Sequence, residues 1–423
     1  MKPREILLGS FNAALSAADP LQIVPGHLPP PPRGRTLVVG AGKAAGSMAL
    51  AVERHWPESA PLEGVVITRY GHGLPTKRIR VVEAGHPVPD ESGEAAAREI
   101  LAAASALGPD DLLLALVSGG GSALLSLPVE GVAMADLKAL TKQLLASGAP
   151  IQDMNTVRKH LSRIQGGRLA AATRAPVLAL VISDVTGDDP THIASGPCTP
   201  DPTTFADTVE ILERFGVQAP ASIASYLERG LRGEVPESHK PGDPAFARTE
   251  NRVIATAHRS LMTASAFVQA RGVTPMVLGD SVTGESREVA KVYAALVRQI
   301  RTHGHPMKAP VALISGGETT VTVRGNGRGG RCTEFLLSLA VELEGLDHVH
   351  ALAADTDGID GSEDNAGALL TPDSLARAVA LGLAPKRLLA ANDGYGFFAP
   401  LGDLVVTGPT RTNVNDFRVI LIQ

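Results

Sequence analysis

Short apolar runs alternate with amphipathic stretches along most of this chain, and that alternation leaves few architectures open. Residues 36–39 (TLVV), 64–68 (GVVIT), 80–83 (RVVE), 112–117 (LLLALV) and 177–182 (VLALVI) read as strands, with helical patterns near 43–55, 91–107, 133–147 and 153–173 between them. Strands separated by helices pack as a mostly parallel sheet covered on both faces, so the expected fold class is α/β with a doubly wound first domain. At 423 residues the chain exceeds one ordinary core, and a second domain is expected. Gly233 to Pro244 (GEVPESHKPGDP) turns abruptly charged and rich in Pro and Gly. The expected division is therefore a first domain over 1–235, a linker over 236–250 and a second domain over 251–423. Beyond the linker the alternation resumes with strands at 252–256, 275–278, 311–314, 319–323 and 351–354 and helices near 259–271 and 285–302, so the second domain is also α/β.

At the N-terminus Leu7, Phe11, Ala14, Leu15 and Ala18 share one helical face, while Glu5, Ser10 and Asn12 interrupt the apolar stretch. An amphipathic first helix fits this better than a secretory leader. The segment PGHLPPPP at 25–32 reads as an extended connector. Lysine plus arginine number 39 against 44 acids, a net charge of −5, which leaves no electrostatic footprint for nucleic acid or an anionic membrane. Aromatic residues are 3% of the chain, too few for base-stacking surfaces, and no run is long enough to span a bilayer. Cys198 and Cys332 stand far apart, without the spacing of a thiolate metal site or a disulfide framework. A cytoplasmic protein acting on a small polar molecule is the expectation. A homodimer is compatible with the sequence, which does not fix the oligomeric state.

Three glycine turns follow strands. Gly40-Ala41-Gly42-Lys43 opens a helix and satisfies G-x-G-x-x-A, but the acid that a dinucleotide site wants after the second strand is replaced by Thr68 and Arg69. Arg69 could meet a 2′-phosphate, so an NADP reading survives beside tight strand-to-helix packing and beside an anion site centred on Lys43. Ser118-Gly119-Gly120-Gly121-Ser122 brings hydroxyls and backbone donors together without a G-x-S-x-G elbow, which favours phosphate binding over acyl transfer. Ser315-Gly316-Gly317-Glu318 reads as a second anion cradle, in the other half of the chain.

Charged motifs accompany these turns. Asn155-x-x-Arg158-Lys159-His160, with Arg163 and Arg168, sets a cationic stripe on a helix, either facing an anion or merely solvated. Asp184, Asp188 and Asp189 crowd the end of one strand, and Asp355, Asp357 and Asp360 follow another. Such carboxylates suit Mg²⁺ or ordinary turns, and the second group is no EF-hand because its twelfth position is Ala366. In Gly325-Asn-Gly-Arg328-Gly-Gly-Arg331 the glycines let backbone approach a ligand while two guanidinium forks offer phosphate or carboxylate contacts.

In order along the chain, Gly40-Ala-Gly-Lys43, Gly85-His86-Pro87, Ser118 to Ser122, Asn155 to His160, Ser183-Asp-Val-x-Gly-Asp188, Ser195-Gly-Pro197, Ser315 to Glu318, Gly329-Gly-Arg331, Asp355-Thr-Asp-Gly358 and Thr407-Gly-Pro-Thr410 resemble the glycerate 2-kinase family with its C-terminal MOFRL domain. The resemblance implies a Rossmann-like N-terminal domain and ATP-dependent phosphorylation of D-glycerate at its 2-hydroxyl. It also implies a divalent cation, an active site between the domains, and roles for Lys43 and Arg331. Asp188 is the expected acceptor of the hydroxyl proton, with Asp355 and Asp357 as Mg²⁺ ligands. Gly40, Gly42, Ser118 to Ser122, Arg158, Ser315 to Glu318 and Arg328 are the expected contacts to nucleotide and substrate. Two positions depart from the family pattern, Cys332 where asparagine is common and Arg411 where glycine is common, and both bear on substrate preference. Family members have also been named hydroxypyruvate reductases, so NAD(P)H-dependent reduction is the alternative activity. A non-catalytic sensor of a phosphorylated acid is a third reading.

Overall fold

The computed structural model describes residues 2–423. The chain divides into two compact units, one of residues Pro20–Ile254 and one that joins the N-terminal residues up to Asp19 to Ala255–Gln423. The division differs from the expected one at both ends. The first helix, Pro3–Ser16, buries Ile6, Leu7, Phe11 and Ala14 in one cluster with Leu261, Ala264 and Val268 of the helix Ala257–Gln269. An amphipathic helix needs an apolar partner, and this one finds it some 250 residues downstream. The charged segment after Gly233 is no free linker. Glu237 accepts from the Phe205 amide at 2.8 Å and Ser238 donates to Asp201 at 2.9 Å, which ties the segment to the first unit.

In the first unit, β1 (Thr36–Ala41), β2 (Leu62–Arg69), β3 (Ile79–Ala84), β4 (Leu112–Val117), β5 (Val177–Ile182) and β6 (Thr249–Ala255) form one sheet in the order β3-β2-β1-β4-β5-β6. The pairs β3/β2, β2/β1, β1/β4 and β4/β5 are parallel. This is the Rossmann-type order, and its switch point falls between β1 and β4, where neighbouring crossovers leave in opposite directions and open a crevice at the strands' carboxyl ends. Every residue of β1, β4 and β5 is buried, which explains their unbroken apolar runs. The helical pattern expected over 153–173 is split into Ile151–His160 and Arg168–Ala171, because Gly166 and Gly167 adopt φ of 59° and 80° between them.

The second unit holds β7 (Thr274–Gly279), β8 (Val311–Gly317), β9 (Val349–Asp355), β10 (Gly367–Leu370), β11 (Leu404–Val405) and β12 (Asp416–Ile422) in the order β11-β10-β9-β12-β8-β7. The pair β7/β8 is parallel, and β12 runs antiparallel between β8 and β9. The strand expected at 319–323 is absent. Thr320 makes a single bridge to Glu285, Val323 is 75% exposed, and the Thr322 amide donates to the Glu285 carboxylate at 3.0 Å instead of to a strand.

The cationic stripe of the helix Ile151–His160 is largely structural. Lys159 and Asp201 form a fully buried ion pair at 2.9 Å, His160 lies against Glu237 at 3.2 Å, and Arg168 donates to the Lys159 carbonyl at 2.7 Å. Burial alone would raise the Asp201 carboxyl, but Lys159 and the Thr203 hydroxyl outweigh it and bring it down to about 2. A carboxyl depressed below its ordinary value of 3.8 adds stability that is complete above that value and is lost as pH falls toward 2. Urea unfolding followed through Trp56 should therefore show the first unit losing roughly 2 kcal/mol from this group between pH 4 and pH 2. In Asp201→Asn that component of the pH dependence should vanish.

Candidate active site

The carboxyl ends of β1 and β4 carry the densest group of predicted residues. The β1 turn uses its own amides. Gly42 donates to the Ile67 carbonyl at 3.1 Å, Lys43 to the Gly119 carbonyl at 2.8 Å, Ala44 to the Ser118 hydroxyl at 3.1 Å and Ala45 to the Gly42 carbonyl at 3.1 Å. A dinucleotide pyrophosphate needs those donors free. Gly40 and Gly42 serve packing instead, for a Cβ on them would meet the Leu116 carbonyl at 1.9 Å and the Ser118 hydroxyl at 2.1 Å. What the β1 turn presents is the side chain of Lys43.

The β4 turn is arranged the other way. Ser118 and Gly121 place their amides on the Ala41 and Ser118 carbonyls, whereas the amides of Gly119, Gly120 and Ser122 meet no hydrogen-bond partner among the described residues. Gly120 sits at φ 81°, and a Cβ there would lie 3.0 Å from His86 Nε2 and 3.4 Å from Lys43 Cγ. Lys43, His86 and the open amides thus gather at one point of the sheet's switch crevice. Ser122 leads to the turn's other flank, where Ser195 donates to the Ser122 hydroxyl at 2.9 Å and to Asn155 Oδ1 at 3.1 Å. Asn155 in turn donates to the His192 carbonyl at 2.8 Å and accepts from Arg158 at 3.0 Å. Ala194 and Ser195 hold φ of 51° and 58°, a left-handed pair of non-glycine residues that costs on the order of 1 kcal/mol each and recurs at functional sites.

Asp188 follows β5, also with positive φ (54°), and its carboxylate has no hydrogen-bond or ion-pair partner among the described residues. Its neighbour Asp189 is committed to the Thr191 amide at 2.9 Å.

In the second unit the predicted residues separate. Ser315, Gly316 and Gly317 lie inside β8, paired with Arg418, Phe417 and Asp416 of β12, so they form no cradle at a turn. The Ser315 hydroxyl accepts from Tyr293 at 2.7 Å in the core. Around Arg331, by contrast, three carboxylates converge. Its guanidinium donates to Glu318, to Asp355 at 2.8 Å and to Asp416 at 3.0 Å. Burial lowers Arg331, but Asp416, Asp355 and Glu318 outweigh it and the net shift is upward. The glycines before Arg331 admit protein backbone rather than a ligand: a Cβ on Gly327 would meet the Ala391 carbonyl at 2.5 Å. Arg328 stacks on Tyr395 at 4.7 Å and pairs with Glu363 at 3.9 Å.

Asp355 and Asp357 do not fit a resident cation pair. One Asp355 oxygen is held by Arg331 and the other by the Asp357 amide at 3.0 Å, while Asp357 accepts from the Ile359 amide at 2.9 Å. Among the described residues no three His, Cys, Asp or Glu side chains are grouped to hold a metal. Asp360 is a helix cap, accepting from the Cys332 and Thr333 amides at 2.9 and 2.8 Å. Cys332 itself is wholly buried, and burial together with the nearby Asp416 and Asp360 carboxylates pushes its thiol up. Arg411 adopts φ 60°, the conformation glycine takes without strain.

His86, Asn155, Ser195 and Asp416 were outside the expected site. His86 and Ser195 stand in short motifs whose partners lie far off in sequence. Asp416 had a signal, since it and Arg418 are two charges on one face of an otherwise apolar strand, a pattern that only a paired, buried cluster tolerates.

Residues 6–228 match a domain of unknown function (DUF4147), and residues 311–416 match the MOFRL family. The chain is 38% identical over 421 residues to a D-glycerate 2-kinase of Thermotoga maritima, covering 99% of this chain and 98% of that protein. This chain belongs to the glycerate 2-kinase family. Within the family it is also 37% identical over 437 residues to a glycerate 2-kinase of Pyrococcus horikoshii, covering 100% of this chain and 98% of that one. An Agrobacterium vitis protein named provisionally as a hydroxypyruvate reductase is 51% identical over 422 residues, covering 99% of this chain and 94% of that protein. The crystal structure of the Thermotoga maritima glycerate kinase superposes with a TM-score of 0.87 at 37% identity, covering 99% of both chains. Among the described residues no helix is long and apolar enough to cross a membrane.

Proposed function

We propose that this chain is a glycerate 2-kinase, transferring the γ-phosphoryl group of ATP to the 2-hydroxyl of D-glycerate. The observation that carries the reading is the β4 turn: the open amides of Gly119 and Gly120 lie by Lys43 at the switch crevice and suit an anion, while the β1-turn amides of Gly42 to Ala45 are all taken within the fold. The full-length likeness to glycerate 2-kinases supports the same reaction. In the transfer the 2-hydroxyl oxygen attacks the γ-phosphorus, the bond to the ADP oxygen breaks, and the hydroxyl proton goes to a carboxylate. Asp188 is the candidate acceptor, because its carboxylate is not engaged elsewhere in the fold. Lys43 would neutralise charge on the moving phosphoryl, as positioning and electrostatics supply most of the catalysis in such transfers. Arg331 has five N–H donors, and its three carboxylates leave it capacity for a further oxyanion. Mg²⁺ is proposed as the nucleotide's own counter-ion, needing few protein carboxylates. No step is assigned to a resident metal.

Incubation with ATP, Mg²⁺ and D-glycerate, followed by phosphorus NMR, should show 2-phosphoglycerate and ADP. In a parallel assay NADH or NADPH with hydroxypyruvate should remain unoxidised. Absence of a phosphorylated product together with nicotinamide oxidation would reverse the assignment in favour of the reductase.

A further inference from the structure

Arg158 is a cation without a counter-ion. It projects from the helix Ile151–His160, its one hydrogen bond among the described residues is to Asn155 at 3.0 Å, and no carboxylate pairs with it. Its two basic neighbours in sequence are explained, since Lys159 holds Asp201 and His160 meets Glu237. Burial brings the Arg158 guanidinium down to about 10, with no nearby acid to offset the effect. It remains charged at neutral pH, and a part-buried charge without a carboxylate partner is a destabilising feature of the fold. Perturbed groups of this kind cluster at functional sites. The surroundings point the same way. Asn155 Oδ1, which accepts from Arg158, also accepts from the Ser122 and Ser195 hydroxyls, the Ser122 amide is open, and Ser195 is held in a strained conformation.

We infer that Arg158, with the Ser122 amide, receives the carboxylate of the substrate and so restricts this chain to 2-hydroxy acids. The inference rests on the kinase reading for the rest of the site. Two anions must be held in that reaction, and the β4 turn has two differently built flanks. Lys43, a compact point charge next to Gly120, suits a phosphoryl group that changes geometry during transfer. Arg158 keeps four N–H donors in a planar fork, which matches a carboxylate with two oxygens. Asn155 is a positioning residue, because its carbonyl oxygen holds the fork and both serines in place. Anchoring the carboxylate a few residues from the phosphoryl site brings forward the hydroxyl on the adjacent carbon. The same contact therefore selects the 2-hydroxyl over the 3-hydroxyl.

The test is Arg158→Met, with Arg158→Lys as the conservative partner. For Arg158→Met the KM for D-glycerate should rise about 100-fold, the KM for ATP should stay within threefold, and some product should become 3-phosphoglycerate by phosphorus NMR. Arg158→Lys should recover part of the affinity. A merely structural Arg158 would lower thermal stability and kcat without moving the product ratio. The wild-type enzyme supplies an arm that does not depend on a folded variant: D-glyceramide, which lacks the carboxylate charge, should show kcat/KM about 100-fold below D-glycerate. Equal use of acid and amide overturns the inference, as does a rise in the ATP KM alone, which would make Arg158 a nucleotide phosphate contact. If the wild type phosphorylates nothing, the kinase reading fails separately. Thermal shift with D-glycerate, D-glyceramide and orthophosphate then decides the receptor, which is supported if only D-glycerate stabilises the protein and only when Arg158 is present.

Discussion

Replacing Lys43 by methionine is expected to lower kcat with ATP and D-glycerate roughly 100- to 1,000-fold while leaving the fold intact. The expectation separates what the backbone does at this position from what the side chain does. The Lys43 amide closes the junction of the β1 and β4 turns on the Gly119 carbonyl, and a substitution keeps that bond. Methionine also keeps the apolar stem that lies near Gly120 and removes only the ammonium. On the proposed reading that ammonium serves the open amides of Gly119 and Gly120, where charge on a transferring phosphoryl would develop. Measurement of kcat by coupled ADP release, with a thermal melt as the folding control, decides the matter. A variant that keeps kcat within threefold would place the phosphoryl elsewhere, and a large drop in melting temperature would make Lys43 structural.

The sequence and the structure agree best where a local pattern determines the outcome. The buried parallel strands were legible because residues covered on both faces must be apolar throughout, as in LLLALV. The turn at Gly119 to Ser122 was legible because so many glycines between a strand and a helix leave backbone donors open. The failures share one physical cause, dependence on a partner far away in sequence. Nothing in GNGRGGR says whether its glycines admit a ligand or the Ala391 backbone. Ser315 to Gly317 looks like Ser118 to Gly120, yet β12 pairs with the former and makes it strand, and that partner lies a hundred residues on. The helix Pro3–Ser16 was correctly expected, but its apolar face did not reveal which sheet it would cover. Arg158 could not be told from Lys159 until Asp201 was seen to take one and leave the other.

Asp416→Ala is expected to destabilise the second unit by about 3–5 kcal/mol, the range for breaking a buried ion pair from one side. Asp416 and Arg418 are wholly enclosed in the central strand β12 and meet at 2.6 Å. Arg418 also donates to Thr319 at 3.1 Å and to the Gly316 carbonyl at 3.4 Å, and its guanidinium lies 5.4 Å from the Phe335 ring. Those neutral contacts cannot replace the lost carboxylate, so the truncation leaves a guanidinium charge in the core, which costs more than the hydrogen bond itself. The sole tryptophan, Trp56, belongs to the first unit, so its fluorescence would not report the change. Amide hydrogen exchange would. Peptides spanning β8, β9 and β12 should lose protection while those of β1 and β4 retain it. The double variant Asp416→Ala/Arg418→Met, which removes both charges of that pair while Arg331 keeps Asp355 and Glu318, should recover much of the loss. If the double variant is as unstable as the single one, packing around Asp416 rather than the stranded charge accounts for the effect. If Asp416→Ala instead leaves exchange in the second unit unchanged, the ion pair is not what holds β12 between β8 and β9.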